Sequence, residues 1–412
     1  MSLAVIPLAS RIHGVEYCEN LVEKFKKVIK GVEFTNIVFS EGDIDTSKFK
    51  ESKAIILLFL TGGTSKLGYK IASEIFVPTF LVSHGYHNSL GSALSCRARL
   101  KKRGLLPWLV HVDQPEGADL NYIAKAVEAC ASLTKAKFGV VTPEGELTPK
   151  AIDFSSKSGI KVVGIDLNEV LAEADAVSEE EATKIAEEEL GVEYPDSDLI
   201  KCINLFIALK KIVEKRKIDA ITMECFEFIL EHGYTPCIAV ALMNKYRIPF
   251  ACEEDYYSLA LMYLSKQLIC YPGWIANPSG IEGNRLVLAH CTVDLSLVDR
   301  FELVNHFESG KPYAVKGELL QIEYTMARMS EKGIERYSVK VYPVKKWSNE
   351  RCRTQCSVEL EGMTALEFLE NASGNHHVLI PGKVEKHLRV IDWMMYGRWK
   401  VSGNEGRGET LQ

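Results

Sequence analysis

The run Ile248-Pro249-Phe250-Ala251-Cys252 stops abruptly in Glu253-Glu254-Asp255. Acids at such a point can cap the helix that follows and complement its dipole, which is the simple reading for Glu254 and Asp255. A carboxylate placed directly after small apolar residues can instead be held partly buried and reactive, and Glu253 is read that way. Three downstream features join it. Asn277 lies in a Pro/Gly-containing loop, His290 closes Leu288-Ala289-His290-Cys291, and Gly374-Asn375-His376-His377 precedes the last strand. A carboxylate, an amide and two or three imidazoles from distant segments are ligand types that a divalent cation such as Mn²⁺ accepts. A second polar group, Ser83-His84-Gly85-Tyr86-His87-Asn88-Ser89, follows an apolar strand in the first quarter of the chain. There His84 and His87 flank a glycine where side chains can reach a cleft, with structural packing as the equal alternative.

The elements that must position these residues are legible from periodicity. Residues 2–8, 36–39, 54–60 and 80–82 read as strands, alternating with amphipathic helices at 17–29, 67–75 and 88–103. A strand at 108–112 and a helix at 120–135 complete a first α/β layer, and strands at 138–141, 161–165 and 220–223 start a second. Ser178 with Glu181 three positions on gives the capping-box pattern of an acidic helix, and residues 199–216 form a long amphipathic one. Residues 248–251 then make a short buried strand, followed by a helix over 256–267. In open α/β sheets ligands bind beyond the carboxyl ends of strands, so Glu253 faces a site. After Pro272 the pattern changes to alternating or β-branched stretches at 285–290, 313–324, 337–344 and 356–361. Gly, Pro, Asn and Ser turns separate them, as in antiparallel β structure. A strand at 378–380 and a helix at 384–395 close the chain. The expected architecture is α/β, with two Rossmann-like domains at 1–135 and 136–271 and a β-rich, barrel-like domain at 272–412.

Composition narrows the function classes. A chain of 412 residues, 47% hydrophobic and 25% charged, can bury several cores. Its net charge of -6 and the absence of a Lys/Arg block give no footprint for nucleic acid, so a small molecule is the expected partner. The apolar run at 54–60 is too short to span a bilayer, and the amino terminus lacks a secretory pattern, so a cytoplasmic protein with no membrane partner is expected. Eleven scattered cysteines fit reduced thiols, Cys352 and Cys356 included. Gly62-Gly63-Thr64 is a connecting or ligand-touching loop that lacks the lysine of a P-loop.

Four stretches resemble the L-fucose isomerase and L-arabinose isomerase superfamily. Ala251-Cys252-Glu253-Glu254-Asp255-Tyr256-Tyr257-Ser258-Leu259-Ala260-Leu261 is similar to a family segment whose first Glu binds metal and takes part in catalysis. Asn284 to Cys291 is similar to the strand that ends in His, Asn305-His306-Phe307-Glu308-Ser309-Gly310 to the turn after it, and Gly374-Asn375-His376-His377 to a Gly-x-His-His segment that supplies a metal-binding His. The similarity covers roughly residues 220–395, while the first 135 match only in α/β rhythm and in His87-Asn88-Ser89-Leu90. The resemblance implies aldose–ketose isomerisation through an enediol, with Mn²⁺ held by Glu253, Asn277, His376 and His290. It further implies Glu253 and Asp255 as the catalytic acids, with His377, His84, His87 and Asn88 near the sugar. A homo-oligomer, trimer or hexamer, in which one subunit's first domain closes its neighbour's site, is also implied. One departure stands out: where the family has a second acidic ligand, this chain has Asn277, whose amide can coordinate but cannot carry a proton at neutral pH. Glu254, Asp255 or Glu282 could stand in, or the chain could bind sugars without turning them over.

Overall fold

A computed structural model describes residues 2–400. They fall into two compact units, one formed by residues up to Ala131 with the segment from Lys386 onward, the other by Ser132–Glu385. Among the described residues no helix is long and apolar enough to cross a membrane.

The first unit is built on five parallel strands, β1 (Leu3–Leu8), β2 (Glu33–Phe34), β3 (Ala54–Phe59), β4 (Thr79–His84) and β5 (Trp108–Val112), in the order β2-β1-β3-β4-β5. Every residue of β1, β3 and β4 is buried. Continuous apolar runs of this kind are what a parallel sheet covered on both faces requires. The helices Val15–Val28, Ser65–Ile75, Ser89–Lys102 and Asn121–Leu133 supply the connections, and the closing helix Glu385–Met395 lays Trp393 against Phe80 and Trp108. The strand expected at 36–39 is displaced. Glu33 and Phe34 pair with Ala4 and Val5, and from the later segment only Val38 bridges to β1.

The second unit opens with another parallel sheet, β6 (Lys137–Thr142), β7 (Lys161–Asp166), β8 (Ala220–Met223) and β9 (Phe250–Ala251), in the order β7-β6-β8-β9. The chain steps one way from β6 to β7 and the other way from β6 to β8, so the order reverses between β6 and β8. Helix Ser197–Arg216, capped by Asp196 onto the Leu199 N–H, buries ten residues against this sheet and its neighbours. Helices at Pro149–Ser158, Leu167–Asp175 and Cys225–His232 add to those expected from sequence.

The remaining strands are β10 (Trp274–Glu282), β11 (Arg285–His290), β12 (Val298–Val304), β13 (Ala314–Leu319), β14 (Glu323–Ser330), β15 (Gly333–Tyr342), β16 (Thr354–Leu360) and β17 (His377–Pro381). Six of them close an antiparallel barrel in the order β10-β11-β16-β15-β14-β17, while β12 and β13 form a separate two-stranded ribbon. Trp274, Leu288, Tyr324, Met326, Val358 and Leu379 fill the core, which is continuous with that of the parallel sheet. Asn277, expected in a loop, is instead inside β10. The register shifts between Pro278 and Gly280, and such a bulge is what lets a proline and a glycine sit in a paired strand.

Candidate metal centre

The short strand β9 lies at the edge of its sheet, and the buried amide of Asn244 serves its outer side. Asn244 Oδ1 accepts from the Phe250 N–H at 3.0 Å and Nδ2 donates to the Phe250 carbonyl at 3.1 Å. On the inner side Thr222 Oγ1 donates to the Ala251 carbonyl at 2.8 Å. The strand then turns sharply through Glu253 (φ 60) and Glu254 (φ 52), two consecutive left-handed residues that are not glycine. Each such residue costs on the order of 1 kcal/mol or more. The turn is held by the Glu254 N–H donating to the Met223 carbonyl at 3.1 Å, by Lys150 Nζ donating to the Glu253 carbonyl at 3.0 Å, and by hydrogen bonds from Thr148 and Tyr256 to the buried Glu254 carboxylate.

This turn delivers Glu253 to the barrel end. Glu253, His290 at the end of β11 and His376 just before β17 each offer a ligand atom, and the three atoms lie within 4.8 Å of one another. Glu253 Oε1 is 3.9 Å from His290 Nε2, and its Oε2 is 3.5 Å from His376 Nε2. Both are long for hydrogen bonds and leave room between the groups. Asn277 sits opposite Ala289, the neighbour of His290, and one step beyond the Ala276–His377 pair, so the register sets it between the two histidine-bearing segments. Asn277 Oδ1 and His376 Nε2 are buried atoms with no hydrogen-bond partner in the structure. Buried polar atoms are rarely left unsatisfied, and a divalent metal supplies the partner that a cluster of carboxylate, imidazole and amide donors lacks. The residues fit such an ion.

Asp255 stands behind this group. Its Oδ1 accepts from the Ser258 N–H at 3.0 Å, which makes it the helix cap anticipated above, and its Oδ2 takes the Ser258 hydroxyl at 2.7 Å and His376 Nδ1 at 2.8 Å. The bond to Nδ1 fixes which His376 nitrogen faces Glu253, an arrangement that outer carboxylates commonly provide for metal-binding histidines. Both oxygens are therefore occupied, and Asp255 acts on the site through His376.

Electrostatics follow from these contacts. Burial alone would lower the pKa of His376, but its bond to Asp255 and the nearby carboxylate of Glu253 outweigh it and raise the value to about 9. Burial pushes Asp255 up, yet His376 and Ser258 hold it down at about 2. His376 also holds the Glu253 carboxyl below its usual range against the effect of burial, while burial keeps His290 neutral by lowering its pKa. Without metal, His376 thus carries a proton up to about pH 9. A bound metal must displace that proton. Mn²⁺ affinity is therefore expected to rise about tenfold per pH unit between roughly pH 6 and 8, with about one proton released per ion. Calorimetric titrations in buffers of different ionisation enthalpy measure this directly, and a flat affinity over that range would remove His376 from the ligand set.

The other expected histidines are not among the three residues of the cluster. His377 is fully buried, with Nδ1 2.9 Å from the Asn375 carbonyl and its ring 5.2 Å from Phe368. His84, His87 and Asn88 belong to the first unit. His84 is fully buried, its Nε2 2.9 Å from the Leu60 carbonyl and its Nδ1 accepting from the Tyr86 N–H, so its polar atoms are committed to structure. His87 is exposed, with its ring edge-on to His13 and tilted against Tyr17, and Asn88 takes a left-handed conformation at the start of helix Ser89–Lys102. Glu282 is bound by the Ser357 hydroxyl and the Lys345 N–H. Sequence reasoning passed over Glu224, although it follows the apolar strand Ala220–Met223 much as Glu253 follows Phe250–Ala251.

No family model matches the chain. It is similar to the sulfoquinovose isomerase of Clostridium sp. (strain MSTE9), 27% identical over 184 residues, which cover 42% of this chain and 41% of that protein. The matched part thus spans about two fifths of the relative's length.

Proposed function

We propose that this chain is a metal-dependent sugar isomerase that interconverts an aldose and a ketose through an enediol, with Mn²⁺ as the metal. The observation that carries the reading is the meeting of Glu253, His290 and His376 at one point, with Asp255 orienting His376 from behind and Asn277 Oδ1 unpartnered on the strand between the two histidine-bearing segments. The partial similarity to a sulfoquinovose isomerase supports it. Glu253, His376, His290 and Asn277 would hold the ion, which when bound polarises the adjacent sugar oxygens. Glu253 would also be the base, taking the C2 proton and returning it to C1. Asp255 keeps His376 in the productive tautomer. Free thiols at all eleven cysteines suit the reducing interior of a cell, where such sugar chemistry is proposed to occur.

The test is incubation of the purified protein with Mn²⁺ and a panel of pentoses, hexoses and 6-deoxyhexoses, with sulfoquinovose added because of the relative's name, followed by NMR for ketose. Formation of a ketose that stops on chelation is the expected result. Silence across the panel with Mn²⁺ demonstrably bound would overturn the isomerase reading in favour of sugar binding without turnover.

A further inference from the structure

We infer that Glu224 is the second proton-carrying group of this site, the carboxyl that serves the sugar oxygens while Glu253 works on carbon. The inference rests on the isomerase reading above. Isomerisation needs protons moved at two kinds of atom, and Asn277 cannot carry one. The carboxyls nearest in sequence are spent. Glu254 is tied to Thr148 and Tyr256, Asp255 to His376 and Ser258, and Glu282 to Ser357 and Lys345.

Glu224 is placed differently. It leaves the carboxyl end of β8, the strand paired with β9, and the bond from the Glu254 N–H to the Met223 carbonyl brings it alongside the Glu253–Glu254 turn. Its carboxylate accepts only a long 3.4 Å bond from the Phe226 N–H and is half-buried. It walls a cavity of about 510 Å³ together with Thr142, Met223, Thr148 and Glu254, on the other side of the Glu253–Glu254 turn from the cluster, whose residues do not line it. That cavity opens beyond the carboxyl ends of β6 and β8, where the strand order reverses, which is where open α/β sheets bind ligands. Burial raises the Glu224 pKa and the neighbouring charge of Glu253 raises it further, so the group is disposed to hold a proton. Glu308 is also raised, by burial first and by the charges of Cys291 and Glu253 against that of His306, but it sits on the turn between β12 and β13, away from the paired ends of β8 and β9.

The step balances as follows. Glu253 takes the C2 proton, the C2–H electron pair forms the C1–C2 double bond, and the carbonyl pair moves to O1, which takes the Glu224 proton. Collapse of the enediol returns the O2 proton to Glu224 as the C2–O double bond forms, and C1 receives the proton held by Glu253. No other reactant is consumed.

The experiment compares the wild-type protein with Glu224→Gln, Glu224→Asp and Glu308→Gln on whichever sugar the wild type turns over. Glu224→Gln should lower kcat by about 10²–10⁴-fold, the range for losing a general acid–base group, with KM and calorimetric Mn²⁺ affinity within about threefold of wild type. Glu224→Asp should recover part of the loss, and Glu308→Gln should keep wild-type turnover. A Glu224→Gln protein that keeps its kcat, or that loses Mn²⁺ binding in parallel with turnover, overturns the assignment while leaving the isomerase reading intact. So does loss of turnover in Glu308→Gln alone. A wild type that turns over no sugar overturns both.

Discussion

Glu253→Gln binds Mn²⁺ on the order of a hundredfold more weakly than the wild type and loses about 10²–10⁴-fold in turnover, whereas Asn277→Asp binds it more tightly. The order follows from charge. Of the three residues that meet in the cluster, Glu253 is the one anion, since burial disfavours the charged form of His290 and His376 must be neutral to ligate, and Asn277 on the neighbouring strand is an amide. Losing an outer carboxylate already costs a metal site roughly 10–100-fold, so removing the sole inner one belongs at or beyond that upper end. Asn277→Asp adds a second negative charge where an oxygen without a hydrogen-bond partner already lies. Calorimetric titration of the three proteins reads the order. Equal affinities would mean that the ion binds elsewhere.

Trp274→Ala destabilises the protein by about 3–5 kcal/mol, the usual cost of emptying a large aromatic site. Trp274 is among the largest fully buried side chains, in the strand that closes the barrel by pairing with both β11 and β17. Its Nε1 donates to the Thr292 carbonyl at 2.7 Å, and Thr292 Oγ1 in turn donates to the Cys237 carbonyl at 2.7 Å, so the indole ties the barrel to helix Cys237–Lys245. Truncation leaves a cavity and an unsatisfied carbonyl. Against a typical total of about 5–15 kcal/mol, the loss is large enough to see in urea. Trp274→Phe should lose less, because most of the volume remains. A midpoint for Trp274→Ala within about 1 kcal/mol of wild type would show that the barrel closes without this residue.

Much of the fold was legible because burial on both faces writes itself into the sequence. The strand at 54–60 and its neighbour at 80–82 are uninterrupted apolar runs, and β11, β13, β15 and β16 show themselves by alternation and turn residues, whereas the stretch expected at 313–324 ends where β14 begins. What escaped had its signal cut or shared. β10 carries Pro278 and Gly280, residues that signal a loop unless a bulge absorbs them. β12 lies in a ribbon outside the barrel and is mostly polar, so it has no buried face to announce it. Helix Pro149–Ser158 is short, though Thr148 as cap and Pro149 in its first turn were there to be read. At the site, residue types sufficed to pick Glu253, His290 and His376, because few side chains other than ligands gather carboxylate and imidazole in that way. The work done by Asp255 was not visible, since it depends on a bond to a residue 121 positions away. Glu224 was hidden for the same reason, its relation to Glu253 being set by strand pairing and not by spacing.

The three groups of the cluster hang from separate parts of one unit, Glu253 from the rim of the parallel sheet and the two histidines from the mouth of the barrel. An ion shared by them is a rivet between two layers that at that end the Asp255–His376 hydrogen bond already ties together. Amide hydrogens of β9, β11 and β17 should then slow their exchange together when the ion enters, even though these strands belong to different sheets. Occupancy would set how far the mouth can gape, making the cation a gauge of cohesion as well as an instrument of chemistry.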